Sequence, residues 1–256
     1  MIPKILHLCW LSGDAYPAKI AKCIDSWKRI MPDYEIVLWD TKRFDLDKSP
    51  WVKQAFEKKK YAFAADYIRF YALNEMGGIY LDSDVEVLKR FDDFLDLPYF
   101  VGAEKAGTPE AAIMGAEKGC DWIKQCLDYY DGRPFVKADN SLDIRKLPEI
   151  MDEQIKKLKP IRVLSLEESK NVRTFDFEKE VLVLNDAYFS PKVFDSREVE
   201  LTPYTYAIHH YQNSWFSPKA KAYYRFRTFM IRIFGYNFIR KAECILMPWK
   251  FKNNPS

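Results

Sequence analysis

The stretch that decides the fold is residues 61–86, which read YAFAADYIRFYALNEMGGIYLDSDVE. Apolar residues up to Met76 have helical spacing, and Gly77-Gly78 ends the helix because glycine readily adopts the left-handed cap conformation. Residues 79–88 then read as a buried strand. A helix that leads through a glycine turn into an apolar strand is typical of an α/β sheet.

The segments before and after this stretch support the same fold class. Residues 4–10 and 34–39 read as strands, and Pro17 opens a helix between them, which predicts a parallel crossover. Further strands are expected at 99–102, 111–115, 181–184 and 204–210, and helices at 121–130 and 147–158. We therefore expect a Rossmann-like α/β sheet flanked by helices, with an irregular second half.

Composition excludes several classes of protein. The chain has 256 residues, of which 48% are apolar, so it can bury a core and is not a disordered chain. No apolar run approaches the roughly 20 residues that span a bilayer. Its five cysteines lack the spacing of a zinc site or a disulfide framework, and no leader is evident. These features predict a cytoplasmic protein.

Basic residues are concentrated in a C-terminal tail, residues 217–256. The tail contains nine lysines and arginines but only one acidic residue, Glu243. Aromatic residues lie among the basic ones. We expect a domain at 1–216 and a basic helical tail at 217–256. Such a tail suits an anionic membrane surface, where bases meet head groups and rings lie at the interface. A helix pair packed on the domain and a nucleic-acid-binding segment are the alternatives.

Two Asp-x-Asp pairs occur, about the number that chance predicts, so the pattern alone is weak. Asp45 and Asp47 lie in a polar stretch that predicts a solvated loop. Asp82 and Asp84 follow a buried strand, at the end of the sheet where ligands gather. Strand alternation would place both of them and Glu86 on one face, where Mg²⁺ or Mn²⁺ would offset their repulsion and neutralise a leaving diphosphate.

The remaining candidates are ambiguous on residue pattern alone. Asp66 and Arg69 share a helix face, which fits either an ordinary surface ion pair or a pair that belongs to a site. His7 alternates with apolar neighbours and is expected to be a core histidine. Strand alternation sends one of His209 and His210 inward without deciding which of them could be a ligand.

The central motifs resemble a known family. Ala65-Asp66-x-x-Arg69 and residues 77–84 are similar to the signature of glycosyltransferases with the DXD sugar-binding region. These include family 32 with its capsular and lipopolysaccharide transferases, and more distantly the clostridial toxin glucosyltransferases. Further elements of the family resemble residues 2–10, 32–40 and 207–215, so the resemblance extends over about residues 2–216.

The resemblance implies a GT-A fold, a retaining transfer and a nucleotide-sugar donor held through Mn²⁺ or Mg²⁺. It implies metal contacts from Asp84, Asp82 and His210, with Asp82, Asp84 and Arg69 as the catalytic residues. It implies donor contacts from Trp10, Asp66, Arg69, Asp82, Ser83, Asn213, Ser214 and Trp215. The expected donor is a UDP-hexose such as UDP-galactose, with UDP-glucose, UDP-N-acetylglucosamine and GDP-mannose as alternatives.

No carboxylate is singled out in the sequence as a nucleophile, which favours a front-side mechanism over double displacement. The expected acceptor is a saccharide, lipid-linked in capsular polysaccharide or lipopolysaccharide synthesis, which would place the enzyme on the inner membrane face. Three alternatives remain: a transferase that modifies a protein, a metal-dependent nuclease or phosphotransferase with a nucleic-acid-binding tail, and a non-catalytic module that binds nucleotide sugars. The favoured interpretation has no nucleic-acid partner.

Overall fold

The computed structural model describes residues 1–105, 107–192, 198–212, 218–236, 238–239, 241 and 243. The chain divides into two compact units, the first formed by Met1–Pro191 and Glu200–His210 and the second by Lys192–Val199 and Tyr211–Ser256. The domain boundary expected between residues 216 and 217 lies outside the described residues and stays a prediction.

The first unit alternates strands and helices along its first half. Its elements are β1 (Ile5–Cys9), α1 (Ala18–Ile30), β2 (Glu35–Trp39), α2 (Pro50–Glu57), α3 (Tyr61–Met76), β3 (Gly78–Leu81), β4 (Val85–Val87), β5 (Tyr99–Ala103), β6 (Pro109–Ala116), α4 (Asp121–Asp128), α5 (Leu147–Leu158), β7 (Ile161–Val163), α6 (Leu166–Lys170), β8 (Val181–Val183) and β9 (Ala207–His209).

Five strands form the main sheet, in the order β2-β1-β3-β6-β5. Strand β1 pairs in parallel with both β2 and β3, as the predicted crossover requires. Strand β6 is antiparallel to β3 and to β5. Two further pairs, β4 with β9 and β7 with β8, form small separate sheets. The α/β fold with helices flanking a Rossmann-like sheet is confirmed.

Apolar residues cover both faces of the main sheet. On β3, Tyr80 packs with residues of α2, α3, α4 and α5, whereas Ile79 and Leu81 pack with residues of α1, β4 and β9. All four residues of β3 are buried. A strand buried on both faces holds its C-terminal end firmly, and the aspartates follow directly at that end.

The continuous strand predicted for residues 79–88 is wrong. The chain leaves the main sheet after Leu81, and β4 pairs with β9 instead. Helix α1 holds β4 there, because the Trp27 indole N–H donates to the carbonyl of Val85 at 2.7 Å. The hydroxyl oxygen of Ser26 also accepts from the Val87 N–H at 2.9 Å. The aspartates therefore lie in a turn between two sheets, and strand alternation does not set their directions.

His7 is a fully buried core histidine, as predicted. Its Nε2 lies 2.7 Å from the carbonyl oxygen of Gly77, and its Nδ1 lies 3.1 Å from the indole nitrogen of Trp39. Because the indole can only donate, His7 must accept at Nδ1 and donate from Nε2, which is the neutral tautomer. Burial lowers the pKa of His7 to about 4. This histidine thus joins β1, β2 and the glycine turn that precedes β3.

The described helix of the second unit is α7, Pro218–Phe234, within the stretch where a basic helical tail was expected. Near its middle, Arg227 and Tyr223 both contact the carboxylate of Glu243, at 2.7 Å and 2.6 Å. Among the described residues, no helix combines the length and the apolar character needed to cross a bilayer.

Replacing His7 by glutamine should change how stability depends on pH. In the unfolded chain histidine takes up a proton below about pH 6.5, whereas in the folded protein His7 does so only near pH 4. Between these values the unfolded state holds the extra proton, so wild type loses stability as the pH falls, by at most about 1.4 kcal/mol per pH unit. Glutamine keeps one donor and one acceptor but does not titrate.

The measurement is chemical denaturation of both proteins between pH 4.5 and 7.5. The difference in unfolding free energy between wild type and His7→Gln should shrink as the pH falls. A difference that is constant across this range would show that His7 does not titrate abnormally.

Candidate functional site

Backbone hydrogen bonds hold the Asp82–Asp84 turn on three sides. The N–H of Asp82 donates to the carbonyl of Ala112 on β6 at 2.8 Å, and the N–H of Val85 closes the turn on the carbonyl of Asp82 at 3.0 Å. The N–H of His210 donates to the carbonyl of Asp84 at 3.1 Å. The two carboxylates therefore start from a backbone that is fixed by the turn's own hydrogen bond, by β6 and by His210.

Arg69 is the buried cation beside the first carboxylate. Its Nη2 lies 2.9 Å from Asp66 Oδ1 and 3.5 Å from Asp82 Oδ1, and its Nη1 donates to the carbonyl of Ala111 at 2.7 Å. Asp66 and Arg69 are only 8% and 5% exposed, so the interpretation as an ordinary surface ion pair is wrong. Helix α3 thus supplies an ion pair that reaches the end of β3.

Tyr80 adds a second hold on Asp82. Its hydroxyl donates to Asp82 Oδ1 at 2.9 Å, and the guanidinium of Arg69 lies over the Tyr80 ring at 4.7 Å. The phenol and the guanidinium both contact Oδ1 of the carboxylate. These contacts orient Asp82 from the side of the main sheet.

His209 faces the second carboxylate. The antiparallel register of β4 and β9 places it opposite Val85, next to Asp84. Its Nε2 lies 3.5 Å from Asp84 Oδ1, and its Nδ1 lies 3.4 Å from Glu110 Oε1. Burial disfavours the charged imidazole, but the carboxylates of Glu110 and Asp84 outweigh burial and raise the pKa of His209 well above its usual value.

The metal ligand implied by the resemblance was His210, and the structure places His209 there instead. The Nε2 of His210 lies 2.8 Å from Glu86 Oε2. The Nε2 of His209, in contrast, lies 3.5 Å from Asp84 Oδ1. The reason is the register: the β4–β9 ladder pairs His209 with Val85, next to Asp84, and it ends there, so His210 follows the last paired residue. Strand alternation predicted that the two histidines point to opposite faces, but it could not predict that β4 is the strand that pairs with β9.

Asp82, Asp84 and His209 form a cluster that could hold a metal ion, since one ligand atom from each lies within 4.8 Å of the others. Two carboxylates and one imidazole are a donor set that Mn²⁺ accepts, and Mg²⁺ favours the carboxylates. An ion at this point would take the place of a proton on Nε2 of His209. The residues present therefore fit the divalent cation that the resemblance implies.

Trp10 follows β1 at the edge where Asp82 follows β3. Its backbone N–H donates to the carbonyl of Trp39 at 3.0 Å, its indole N–H donates to the carbonyl of Asp14 at 2.8 Å, and its ring meets Tyr16 edge-on at 5.0 Å. This places the ring at the expected edge of the sheet, and its contact with a nucleobase stays a prediction.

The other predicted residues fall into three groups. Ser83 is partly exposed in the turn itself. Asn213, Ser214 and Trp215 lie outside the described residues, so their donor contacts stay predictions. Asp45 and Asp47 are exposed, and Asp47 pairs with Lys53 at 2.7 Å, which confirms the solvated position of the first Asp-x-Asp pair.

Sequence reasoning missed Tyr80 and Glu110. Tyr80 has no polar signal, because its position in an apolar strand predicts a core residue. Glu110 had one: it is the single charged residue in the apolar run Pro109–Ala116, and a buried strand does not carry a carboxylate without a partner.

The sequence and the geometry agree with a known family. Residues 17–101 match the profile described as the glycosyltransferase sugar-binding region containing the DXD motif. This stretch of the chain is therefore similar to a glycosyltransferase sugar-binding region. The matched residues include Asp66, Arg69, Asp82 and Asp84, so the resemblance stated from these motifs is confirmed.

Curated relatives are similar to part of the chain. Inositol phosphoceramide mannosyltransferase 3 of Schizosaccharomyces pombe is 32% identical over 130 residues, 49% of this chain and 36% of the relative. Mannosyl phosphorylinositol ceramide synthase CSH1 of Saccharomyces cerevisiae is 33% identical over 45% of this chain and 32% of its own length. The uncharacterized glycosyltransferase L373 of Acanthamoeba polyphaga mimivirus is 27% identical over 56% of this chain and 60% of its own length. The chain thus spans about a third of the length of these two yeast relatives.

Solved glycosyltransferases are also similar to the chain. The PaToxG glycosyltransferase aligns with a TM-score of 0.44 at 21% identity, over 61% of this chain and 71% of its own. The galactosyltransferase LgtC, in complex with donor and acceptor sugar analogs, aligns with a TM-score of 0.42 at 12% identity. The alignment covers 87% of this chain and 93% of LgtC.

Arg69→Lys should destabilise the protein although it keeps the charge. Lysine lacks the planar fork that serves Asp66, Asp82 and the Ala111 carbonyl together, so buried acceptors lose their donors. We expect a loss of about 2–3 kcal/mol in unfolding free energy by chemical denaturation. Arg90→Lys is the matched control, because Arg90 is partly exposed and pairs with Asp33 at 2.8 Å. It should cost less than about 1 kcal/mol. Equal losses in both variants would show that Arg69 has no special role.

Proposed function

We propose that this protein is a metal-dependent, retaining glycosyltransferase that moves a hexose from a nucleotide sugar to a saccharide acceptor. The observation that carries the proposal is the cluster of Asp82, Asp84 and His209 at the end of β3. It lies at the C-terminal edge of the parallel strands, where α/β sheets bind ligands. The match of residues 17–101 to a sugar-binding region supports the same reaction class.

The proposed donor is a nucleoside diphosphate hexose. The resemblance favoured a UDP-hexose such as UDP-galactose and an acceptor in capsular or lipopolysaccharide synthesis. The names of the yeast relatives add a mannosyl group and a lipid acceptor, inositol phosphoceramide, to the candidates. Both sets share a hexose and an acceptor that is anchored in a lipid, so we keep these as the proposed classes.

In this mechanism the chain's own residues bind and orient the donor. Asp82, Asp84 and His209 would hold Mn²⁺ or Mg²⁺, which neutralises charge on the departing diphosphate when it is bound. Arg69 keeps Asp82 in place from the side of α3, and Trp10 offers a ring to the nucleobase at the same edge. Much of the rate would come from positioning and from charge stabilisation.

The transfer is proposed to take place on one face of the sugar. The bond between the anomeric carbon and the phosphate oxygen breaks while the acceptor oxygen bonds to the same carbon. The acceptor hydroxyl gives its proton to the departing phosphate, so no side-chain base is required. The protein's part is to keep donor and acceptor in contact at the edge formed by Asp82, Asp84 and Trp10.

Asp84→Asn should lower Mn²⁺-dependent release of nucleoside diphosphate by about 100-fold or more, because the amide is a poorer metal ligand than a carboxylate. The assay uses UDP-galactose, UDP-glucose, UDP-N-acetylglucosamine and GDP-mannose in turn, so it also identifies the donor. Asp47→Asn is the matched control from the solvated Asp-x-Asp pair and should leave the rate unchanged. The proposal fails if no donor is consumed and neither UDP nor GDP raises the melting temperature with Mn²⁺ present.

The proposed location is the cytoplasmic face of a membrane, reached through α7. One face of this helix carries Phe226, Phe229 and Ile233, which are 62%, 58% and 56% exposed. These residues are spaced by three and four, so they form one stripe. The exposed Arg225 and Arg232 border it. A basic helix with an aromatic stripe is suited to lie in the surface of an anionic bilayer.

The triple variant Phe226→Ser, Phe229→Ser, Ile233→Ser tests this location. Its side chains are already exposed, so the melting temperature should stay near that of wild type. Binding to vesicles of anionic lipid, measured by co-sedimentation, should fall at least about 10-fold, because the apolar area that enters the interface is lost. Vesicles of zwitterionic lipid are the control and should bind wild type weakly. Equal binding by variant and wild type would contradict the membrane role of α7.

A further inference from the structure

Glu110 is a buried acid near the start of β6, with 2% of its surface exposed. Its Oε1 accepts from the N–H of Ala112 at 3.0 Å, and its Oε2 accepts from the hydroxyl of Ser190 at 2.7 Å. The same Oε1 lies 3.4 Å from Nδ1 of His209. The carboxylate thus joins β6, the loop after β8, and β9.

The two ring nitrogens of His209 point at two different acids. Nε2 lies 3.5 Å from Asp84 on the side of the proposed metal, and Nδ1 faces Glu110 on the opposite side. A histidine that binds a metal through one nitrogen commonly donates its other N–H to a carboxylate, which fixes the tautomer and the direction of the ring. His209 has this arrangement, because it lies between the carboxylate of Glu110 and the proposed metal position.

We infer that Glu110 is the positioning residue of the metal centre: its carboxylate accepts a hydrogen bond from the Nδ1–H of His209 and so directs the Nε2 lone pair at the ion that Asp82 and Asp84 would hold. The inference rests on the proposed function, since it assumes that metal site. Glu110 itself touches neither the ion nor the donor in this arrangement.

A purely structural role would not require the negative charge of Glu110. A neutral amide of the same shape could accept from the Ala112 N–H through its oxygen and donate from its NH2 group to the hydroxyl oxygen of Ser190. Burying a carboxylate in an apolar strand costs free energy unless a cation or several donors offset it. His209 is the partner that makes the charge matter, because a full carboxylate is the better acceptor for its N–H.

Glu110→Gln separates the two roles, because it keeps the shape and removes the charge. The probe is Mn²⁺ alone, titrated against the full-length protein and followed by the EPR signal of the free ion. We expect Mn²⁺ affinity to fall about 10- to 100-fold, while the melting temperature of the metal-free protein changes little.

Ser169→Ala is the matched control for packing. Ser169 is 3% exposed, and its hydroxyl oxygen accepts from the N–H of Asn185 at 2.9 Å, in the same loop after β8 that carries Ser190. Its loss should lower the melting temperature and leave Mn²⁺ affinity unchanged. Asp84→Asn should abolish the binding and thereby identifies the site that is titrated.

Three results would overturn the inference. If Glu110→Gln binds Mn²⁺ as tightly as wild type, Glu110 does not position the ligand, and the proposed function is untouched. If Ser169→Ala loses as much affinity as Glu110→Gln, the loss follows packing and not the Glu110 charge. If wild type itself binds no Mn²⁺, the proposed metal centre fails and the role of Glu110 fails with it.

Discussion

Alternating charges hold the end of β3, and the rest of the site depends on them. On one side Arg69 lies between Asp66 and Asp82, and on the other His209 lies between Asp84 and Glu110. Arg69 offsets the repulsion between its two acids, and a proton or a metal ion on His209 would do the same for Asp84 and Glu110, where little water is present to screen the charges. The two groups meet at the turn, where Asp82 and Asp84 are adjacent. A divalent ion at that point would add a further positive charge between the acids.

The structure obtains this arrangement by ending one sheet and starting another. Strand β3 belongs to the main sheet, whereas β4 is held by α1 and pairs with β9, so the backbone turns at Asp82–Asp84. The turn places the carboxylates at an edge of the sheet, where Asp82 is partly accessible and Asp84 is 8% exposed. It also brings in β9, which lies more than 120 residues later in the chain and carries His209. Neither Asp-x-Asp nor histidine alone would form the cluster.

Local pattern could predict the parts of the molecule that local interactions determine. Helix α3, its end at Gly77 and the start of the strand that follows were predictable, because helical spacing and a glycine cap act within a few residues. The pairing of β4 with β9 depends on contacts that are distant in sequence, so no short pattern encodes it. The parity argument for Asp82 and Asp84 failed for that reason, and strand alternation could not choose between His209 and His210. The exchange of these histidines is a difference of one residue in register.

Besides long-range strand pairing, the burial of charged residues could not be predicted from the local sequence pattern. The spacing of Asp66 and Arg69 predicts that they touch, but an exposed pair contributes little, whereas a buried pair fixes Asp82 from behind. The difference arises from β6, whose Ala111 carbonyl accepts from Arg69 and whose Glu110 faces His209. One antiparallel strand therefore supports both halves of the charged cluster. Strand β6 also accepts a hydrogen bond from the backbone of Asp82 through Ala112. A shift of β6 would therefore disturb Arg69, the partner of Asp82, and His209, the partner of Asp84, together. For this reason an ion that bound only the folded arrangement would stabilise β3 and β6 of the main sheet together with β9, which carries His209.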